Sequence, residues 1–163
     1  MKRIVIHEEN CIACRLCEVH CIVQHSRSHD IIKAFKVEQS RAMPRVTVEE
    51  SGPVSFALQC RQCLEPSCLE ACISGAMHRD EKTGAVVCDE DVCVGCWMCI
   101  MVCPTGSIRQ NTNHVGTTGR IASKCDLCYE TGVPACVAHC PNEALTFEEV
   151  GAEKFETAGH RAE

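Results

Sequence analysis

The sequence predicts an α+β fold: short helices and β-hairpins in two small modules, wrapped around metal centres instead of a conventional interior. Three observations lead there. Seventeen of 163 residues are cysteine, a share that marks a metal or disulfide scaffold. Sixteen of the seventeen fall into four quartets of repeating spacing. Aromatic residues make up only 4%, with one Trp and one Tyr, so side chains alone supply little bulk to fix so many loops.

The quartets are Cys11, Cys14, Cys17, Cys21; Cys60, Cys63, Cys68, Cys72; Cys93, Cys96, Cys99, Cys103; and Cys125, Cys128, Cys136, Cys140. The first gap is always two residues and the last always three, while the middle gap varies. The third quartet, followed directly by Pro104, has the C-x2-C-x2-C-x3-C-P spacing of bacterial ferredoxins, which hold cubane [4Fe-4S] clusters. Three close thiols let one tight loop wrap a cluster corner. That loop cannot also cover the opposite iron, so the fourth ligand comes from a partner run.

Taken in order, Arg3 to His7 reads as a strand leading into quartet one. Asp30 to Val37, with Ile31, Ile32, Ala34 and Phe35, reads as a short amphipathic helix. Arg45 to Glu49 and Val54 to Leu58 form a hairpin turning at Ser51-Gly52-Pro53. Met77 to Arg79 and Ala85 to Cys88 flank a second turn, Asp80 to Gly84. Ser107 to Arg109 and Arg120 to Ala122 form a third hairpin across the polar loop 110–119, and Ala144 to Glu148 is the last strand. Residues 1–148 are read as one unit of two interleaved modules, an outer one from 1–44 plus 107–148 and an inner one from 45–106. A polar tail spans 149–163.

Only one hairpin separates quartets two and three, so they form a natural pair, and quartets one and four complete each other. Four ligand sets follow: Cys11, Cys14, Cys17 and Cys140; Cys125, Cys128, Cys136 and Cys21; Cys60, Cys63, Cys68 and Cys103; Cys93, Cys96, Cys99 and Cys72. Cys88 stands outside as a structural thiol, while His20 and His139, each directly before a ligand, read as packing or surface residues. Trp97 packs on a cluster.

Bulk properties narrow the function. The formal charge is −6, and each thiolate-held cubane adds roughly −2, giving about −14 when loaded. Nucleic-acid binding is disfavoured at that charge. No 18-residue apolar span exists for a membrane helix, and Met1 to Asn10 lacks the apolar core of a signal peptide. Dense thiols then indicate metal binding in a reducing cytoplasm. Multi-zinc modules combine separated C-x2-C knuckles, whereas quartets one and three each crowd four thiols into eleven residues. A redox-sensing regulator needs a recognition element, and no helix-turn-helix pattern is visible. No open metal site, phosphate loop or nucleophile-base pair remains for catalysis by the protein alone.

Four quartets in this order, with the insertion after the first and the widened gap in the fourth, resemble the four-cluster iron-sulfur subunits of the dimethyl sulfoxide reductase and formate dehydrogenase type. Residues 14–18 (Cys-Arg-Leu-Cys-Glu), 24–28 (Gln-His-Ser-Arg-Ser), the approach from Phe56 to Cys63, and 94–99 (Val-Gly-Cys-Trp-Met-Cys) are most similar to the iron-sulfur partner of nickel carbon monoxide dehydrogenases. The tungsten aldehyde oxidoreductase small subunit is also similar. The resemblance implies the crossed ligation above, four [4Fe-4S] clusters, and a non-catalytic electron wire. Its partners would be a carbon monoxide dehydrogenase, or an aldehyde or formate oxidoreductase, and a second redox protein such as a flavin NAD(P) oxidoreductase, hydrogenase or ferredoxin. Isoleucine in place of proline after Cys21 and Cys72 departs from the simplest motif without removing a ligand.

Overall fold

The computed structural model describes residues 2–112 and 119–150. Part of the expected loop 110–119 and nearly all of the tail 149–163 lie outside the described residues. Eight short strands pair into four antiparallel two-stranded sheets, and five helices of four to nine residues separate them.

The constant x3 step has a local cause. Each third cysteine is the second residue of a helix: Cys17 in α1 (Leu16–Gln24), Cys68 in α3 (Ser67–Glu70), Cys99 in α4 (Met98–Met101) and Cys136 in α5 (Ala135–Ala138). Four residues on, the last cysteine returns to the same face one turn later. The first two thiols ride a turn whose third residue is left-handed in every quartet: Ala13, Gln62, Gly95 and Leu127, at φ of 54°, 51°, 64° and 61°. Gly75, Gly106 and Glu143, three residues after the last cysteine of quartets two, three and four, are left-handed too. There the backbone leaves its helix and heads into a strand.

The middle gap decides how the helix starts. With two residues available, Arg15 and Trp97 begin α1 and α4 from left-handed positions, at φ 58° and 67°. With four or seven, Pro66 and Pro134 precede α3 and α5 in extended geometry. In the insertion, α2 (Ile31–Lys36) starts at Asp30, whose carboxylate accepts a hydrogen bond from the Lys33 amide at 2.9 Å.

Strands β1 (Lys2–Ile6) and β8 (Leu145–Glu149) pair with Ile4 opposite Phe147, joining the two ends of the described residues. Hairpin β2 (Val46–Ser51) and β3 (Val54–Gln59) is in register at Val46 and Gln59. Strand β4 (Met77–Arg79) pairs with β5 (Val86–Cys88), and β6 (Arg109–Asn111) with β7 (Ile121–Ser123). That third hairpin begins two residues later than the spacing suggests, because Ile108 is buried and the Ser107 hydroxyl turns onto the Cys103 sulfur at 3.6 Å.

Two apolar clusters form. One gathers Ile4, Val46, Val48, Ala57, Val87 and Leu145 with Cys17, Cys21, Cys60, Cys125 and Cys136. The other gathers Met77, Ile108, Ile121 and Ala122 with Cys93 and Cys99, flanked by Cys68, Cys72, Cys88 and Cys103. Hairpin 46–59, expected with the inner cysteines, packs in the first cluster. Hairpin 109–123, expected with the outer ones, has Ile121 and Ala122 in the second. Among the described residues, eight of the twenty-six buried apolar ones are cysteines, seven are alanines and none is aromatic.

Gly95 is the one left-handed turn position where a side chain has no room, since a Cβ there would lie 2.8 Å from the Arg120 carbonyl oxygen. Ala13, Gln62 and Leu127 show that positive φ alone is tolerated at this place. Gly95→Ala is therefore expected to cost more than the usual ~1 kcal/mol of a left-handed alanine, through collision with a backbone that cannot swing away. Thermal unfolding of the loaded variant beside Ala13→Gly measures it; a fall in melting temperature no larger than the rise in Ala13→Gly would show that the Arg120 segment yields freely.

Candidate metal centres

Three cavities are lined by thiols drawn from two segments each. Cys11, Cys14 and Cys17 share the first with Cys140. Cys60, Cys63 and Cys68 share the second with Cys103. Cys93, Cys96 and Cys99 share the third with Cys72 and also Cys88. The fourth expected set, Cys21, Cys125, Cys128 and Cys136, is wholly buried. Its thiols sit close enough that the Cys136 group, pushed well up by burial, is raised further by Cys125, Cys21 and Cys128. All seventeen cysteines are free thiols.

The donor chemistry fits a thiolate-held cluster. Among the described residues, no carboxylate or imidazole lines any of the three cavities. Backbone amides donate toward sulfur: Arg45 to Cys21 at 3.2 Å, Met77 to Cys72 at 3.3 Å, and Gln62 to Cys60, Ala122 to Cys93 and Leu127 to Cys125 at 3.5 Å. Such bonds stabilise charge on a ligating sulfur and raise cluster potential. Burial pushes the Cys17 thiol up to about 12 and Cys99 and Cys128 up to about 11. Buried thiolates of that kind need a metal's positive charge beside them.

Two crossing thiols behave in the opposite way. Burial would raise Cys103, but the Thr105 and Ser107 hydroxyls and amides outweigh it and bring the thiol down to about 7. Cys72 is likewise lowered, because donors from Met77, Ser74 and Ala76 outweigh its burial. Cys88, in the same cavity, is pushed up by burial and then by Cys93. Of these two thiols, Cys72 is the easier to ionise.

Exposure is uneven. Cys14 and Cys96 are exposed while the others are buried or half-buried. Ile12 and Leu16 flank Cys14, Val94 and Met98 flank Cys96, and all four are exposed apolar side chains. Trp97 lines the third cavity and is half-buried. His20 and His139 stack face to face, ring centroids 3.5 Å apart, across the contact between α1 and α5.

Several residues near the thiols carry no mark of their role in the sequence. Gln62, 1% exposed, donates from Nε2 to the Cys125 carbonyl at 2.9 Å and accepts at Oε1 from the Val86 amide at 2.8 Å, tying two segments together. Lys124 is buried beside it. Arg45 pairs with Asp126 at 2.7 Å and Glu90 at 2.9 Å. His25 lies 3.3 Å from Asp126 and 2.8 Å from the Cys21 carbonyl. The one local signal is that Lys124 and Asp126 flank a ligand.

His25 and Asp126 predict a pH dependence. Burial alone would lower His25, but the bonds to Asp126 and Cys21 outweigh it and raise the imidazole to about 9. Burial would raise Asp126, yet His25 and Arg45 hold it well below the carboxylate range. The His25 contribution is therefore complete below its unfolded value near 6.5 and lost as pH rises through about 9. The Asp126 contribution is present above its unfolded value near 3.8 and lost as pH falls. Loaded protein should lose stability between pH 6.5 and 10 at this joint. Melting temperatures across that range should fall less in His25→Gln than in the parent; identical slopes would remove His25 from the account.

Fold and donor set together define a thiolate-ligated iron-sulfur protein of electron transport. Residues 54–150 match the family described as the 4Fe-4S dicluster domain, and this protein belongs to that family. It is 34% identical to the iron-sulfur protein of Rhodospirillum rubrum, over 98% of its own length and 88% of that protein. It is 34% identical to the electron transport protein HydN of Escherichia coli K12, over 94% of its own length and 95% of the relative. The B subunit of the anaerobic dimethyl sulfoxide reductase of the same strain is also 34% identical, over 87% of this protein and 70% of the subunit. The protein is an iron-sulfur electron-transfer protein carrying [4Fe-4S] clusters. Among the described residues, no helix is long and apolar enough to cross a membrane.

Proposed function

We propose that the protein binds four [4Fe-4S] clusters through the four crossed ligand sets and relays electrons, without catalysis of its own, between a catalytic oxidoreductase subunit and a second redox partner. One observation carries this reading: in each thiol-lined cavity, three thiols of one segment meet a fourth from a segment tens of residues away. The order of the wire follows from neighbouring thiols. Cys136 feels Cys17, Cys125 feels Cys60, and Cys99 feels Cys68. The sets of Cys11 and Cys93 then stand at the two ends, where Cys14 and Cys96 are exposed within apolar collars suited to partner docking.

Carbon monoxide dehydrogenase is the proposed catalytic partner, on the resemblance of residues 14–18, 24–28 and 94–99 to its iron-sulfur subunit. A molybdenum or tungsten oxidoreductase is the second reading, favoured by the identity to the dimethyl sulfoxide reductase B subunit. Seventeen free thiols suit a reducing cytoplasm. Anaerobic isolation of a tagged copy tests both levels. About 16 iron and 16 sulfide per polypeptide are expected for four cubanes, with a nickel subunit retained. A colourless, zinc-loaded protein would overturn the cluster reading; retained molybdenum or tungsten would overturn the first choice of partner.

A further inference from the structure

Lys124 is only 3% exposed. Its ammonium donates to the Val86 carbonyl and, at 3.2 Å, to the Cys125 carbonyl. The side chain lines the cavity of Cys60, Cys63, Cys68 and Cys103. Among the described residues, no carboxylate pairs with it in an ion pair, and the two acceptors of its hydrogen bonds are neutral carbonyls. The neighbouring buried site differs. There the cations are Arg45 and His25, and the carboxylates of Asp126 and Glu90 face them.

We propose that Lys124 sets the reduction potential of the cluster held by Cys60, Cys63, Cys68 and Cys103, raising it above that of the adjoining cluster of Cys21, Cys125, Cys128 and Cys136. The inference rests on the ligand sets proposed above. Adding an electron makes a buried cluster more negative, and a fixed cation in the same cavity wall stabilises the reduced form directly. A unit charge within about 10 Å, at an effective dielectric of about 20, shifts a one-electron equilibrium more than tenfold. The carbonyl bonds hold the ammonium in place without spending its charge on a counter-ion.

The test is a redox titration of the full-length protein followed by electron paramagnetic resonance, with iron counted in every sample. Serine at Cys63 identifies the centre by altering its spectrum. In Lys124→Met, that centre alone should show at least a tenfold lower ratio of reduced to oxidised cluster at fixed potential, equal to about 59 mV for one electron. Lys124→Arg should restore the parent midpoint. Full iron with four unchanged midpoints in Lys124→Met would overturn the proposal, leaving Lys124 a hydrogen-bonding strut. If Lys124→Met loses iron, Lys124→Gln, which keeps a donor, carries the same comparison. Loss of iron in both, with retention only in Lys124→Arg, would mean that the charge holds the cluster instead of tuning it, and would also overturn the proposal. Fewer than four clusters in the parent protein would sink the ligand sets independently of any result at Lys124.

Discussion

Replacing Cys140 by serine is expected to damage the cluster of Cys11, Cys14 and Cys17 while leaving that of Cys125, Cys128 and Cys136 intact, although Cys140 belongs to the latter quartet by sequence. The reverse is expected for Cys21→Ser. The reason is geometric: α1 and α5 pack against each other, so the last thiol of each quartet faces the loop of the other. Cys140 lines the cavity of Cys11, Cys14 and Cys17, and Cys21 interacts with Cys125, Cys128 and Cys136. Each variant should lose about a quarter of its iron, retaining about 12 of 16 atoms. Since Cys14 is exposed and Cys136 is buried, the two losses separate spectroscopically by solvent access. If Cys140→Ser spared the first set and damaged the last, the crossed ligation would fall.

Stripping the iron should abolish the fold, not merely the colour. The buried apolar residues include no aromatic, and more than half are cysteine or alanine. A large aliphatic side chain contributes roughly 1.5–3 kcal/mol on burial, and few are present to offset the ordering of this many loops. The buried thiols add to the cost, because Cys17, Cys125 and Cys136 resist ionisation without metal. Left-handed Ala13, Gln62 and Leu127 add local strain. Chelation under reducing, anaerobic conditions should therefore erase the cooperative thermal transition and collapse amide-exchange protection at β1–β8 and β4–β5. Retention of a sharp transition by iron-free protein would show that the polypeptide holds its own shape.

Spacing made the ligand framework legible because a three-residue step dictates one helical turn wherever it occurs, whatever the surroundings. The hairpins at Gly52-Pro53 and at Asp80 to Gly84 were readable for a similar local reason. Asp80 closes its turn on the Thr83 amide at 2.7 Å, an interaction three residues long. The residues that sequence reasoning missed act across long stretches of polypeptide. Gln62 meets Val86 and Cys125, His25 meets Asp126, and Lys124 meets Val86. Apart from the place of Lys124 and Asp126 on either side of Cys125, nothing in their own neighbourhoods marks them, since each polar side chain acquires its role only once two quartets are brought together. Hairpin β2–β3 lies next to quartet two in sequence, and Val46 and Val48 share one apolar cluster with Cys60 of that quartet and with Cys17 and Cys21 of quartet one.

The pairing of β1 with β8 bears on synthesis. A nascent polypeptide that has emerged as far as Cys103 already carries every thiol proposed for the two inner-pair sites, and these can accept their inorganic cargo while translation continues. Both remaining sites wait for Cys136 or Cys140, and the first strand stays without its mate until residue 145 has cleared the ribosome. Assembly machinery thus meets a half-finished substrate whose first quartet, with four thiols bared, is the last to be sealed.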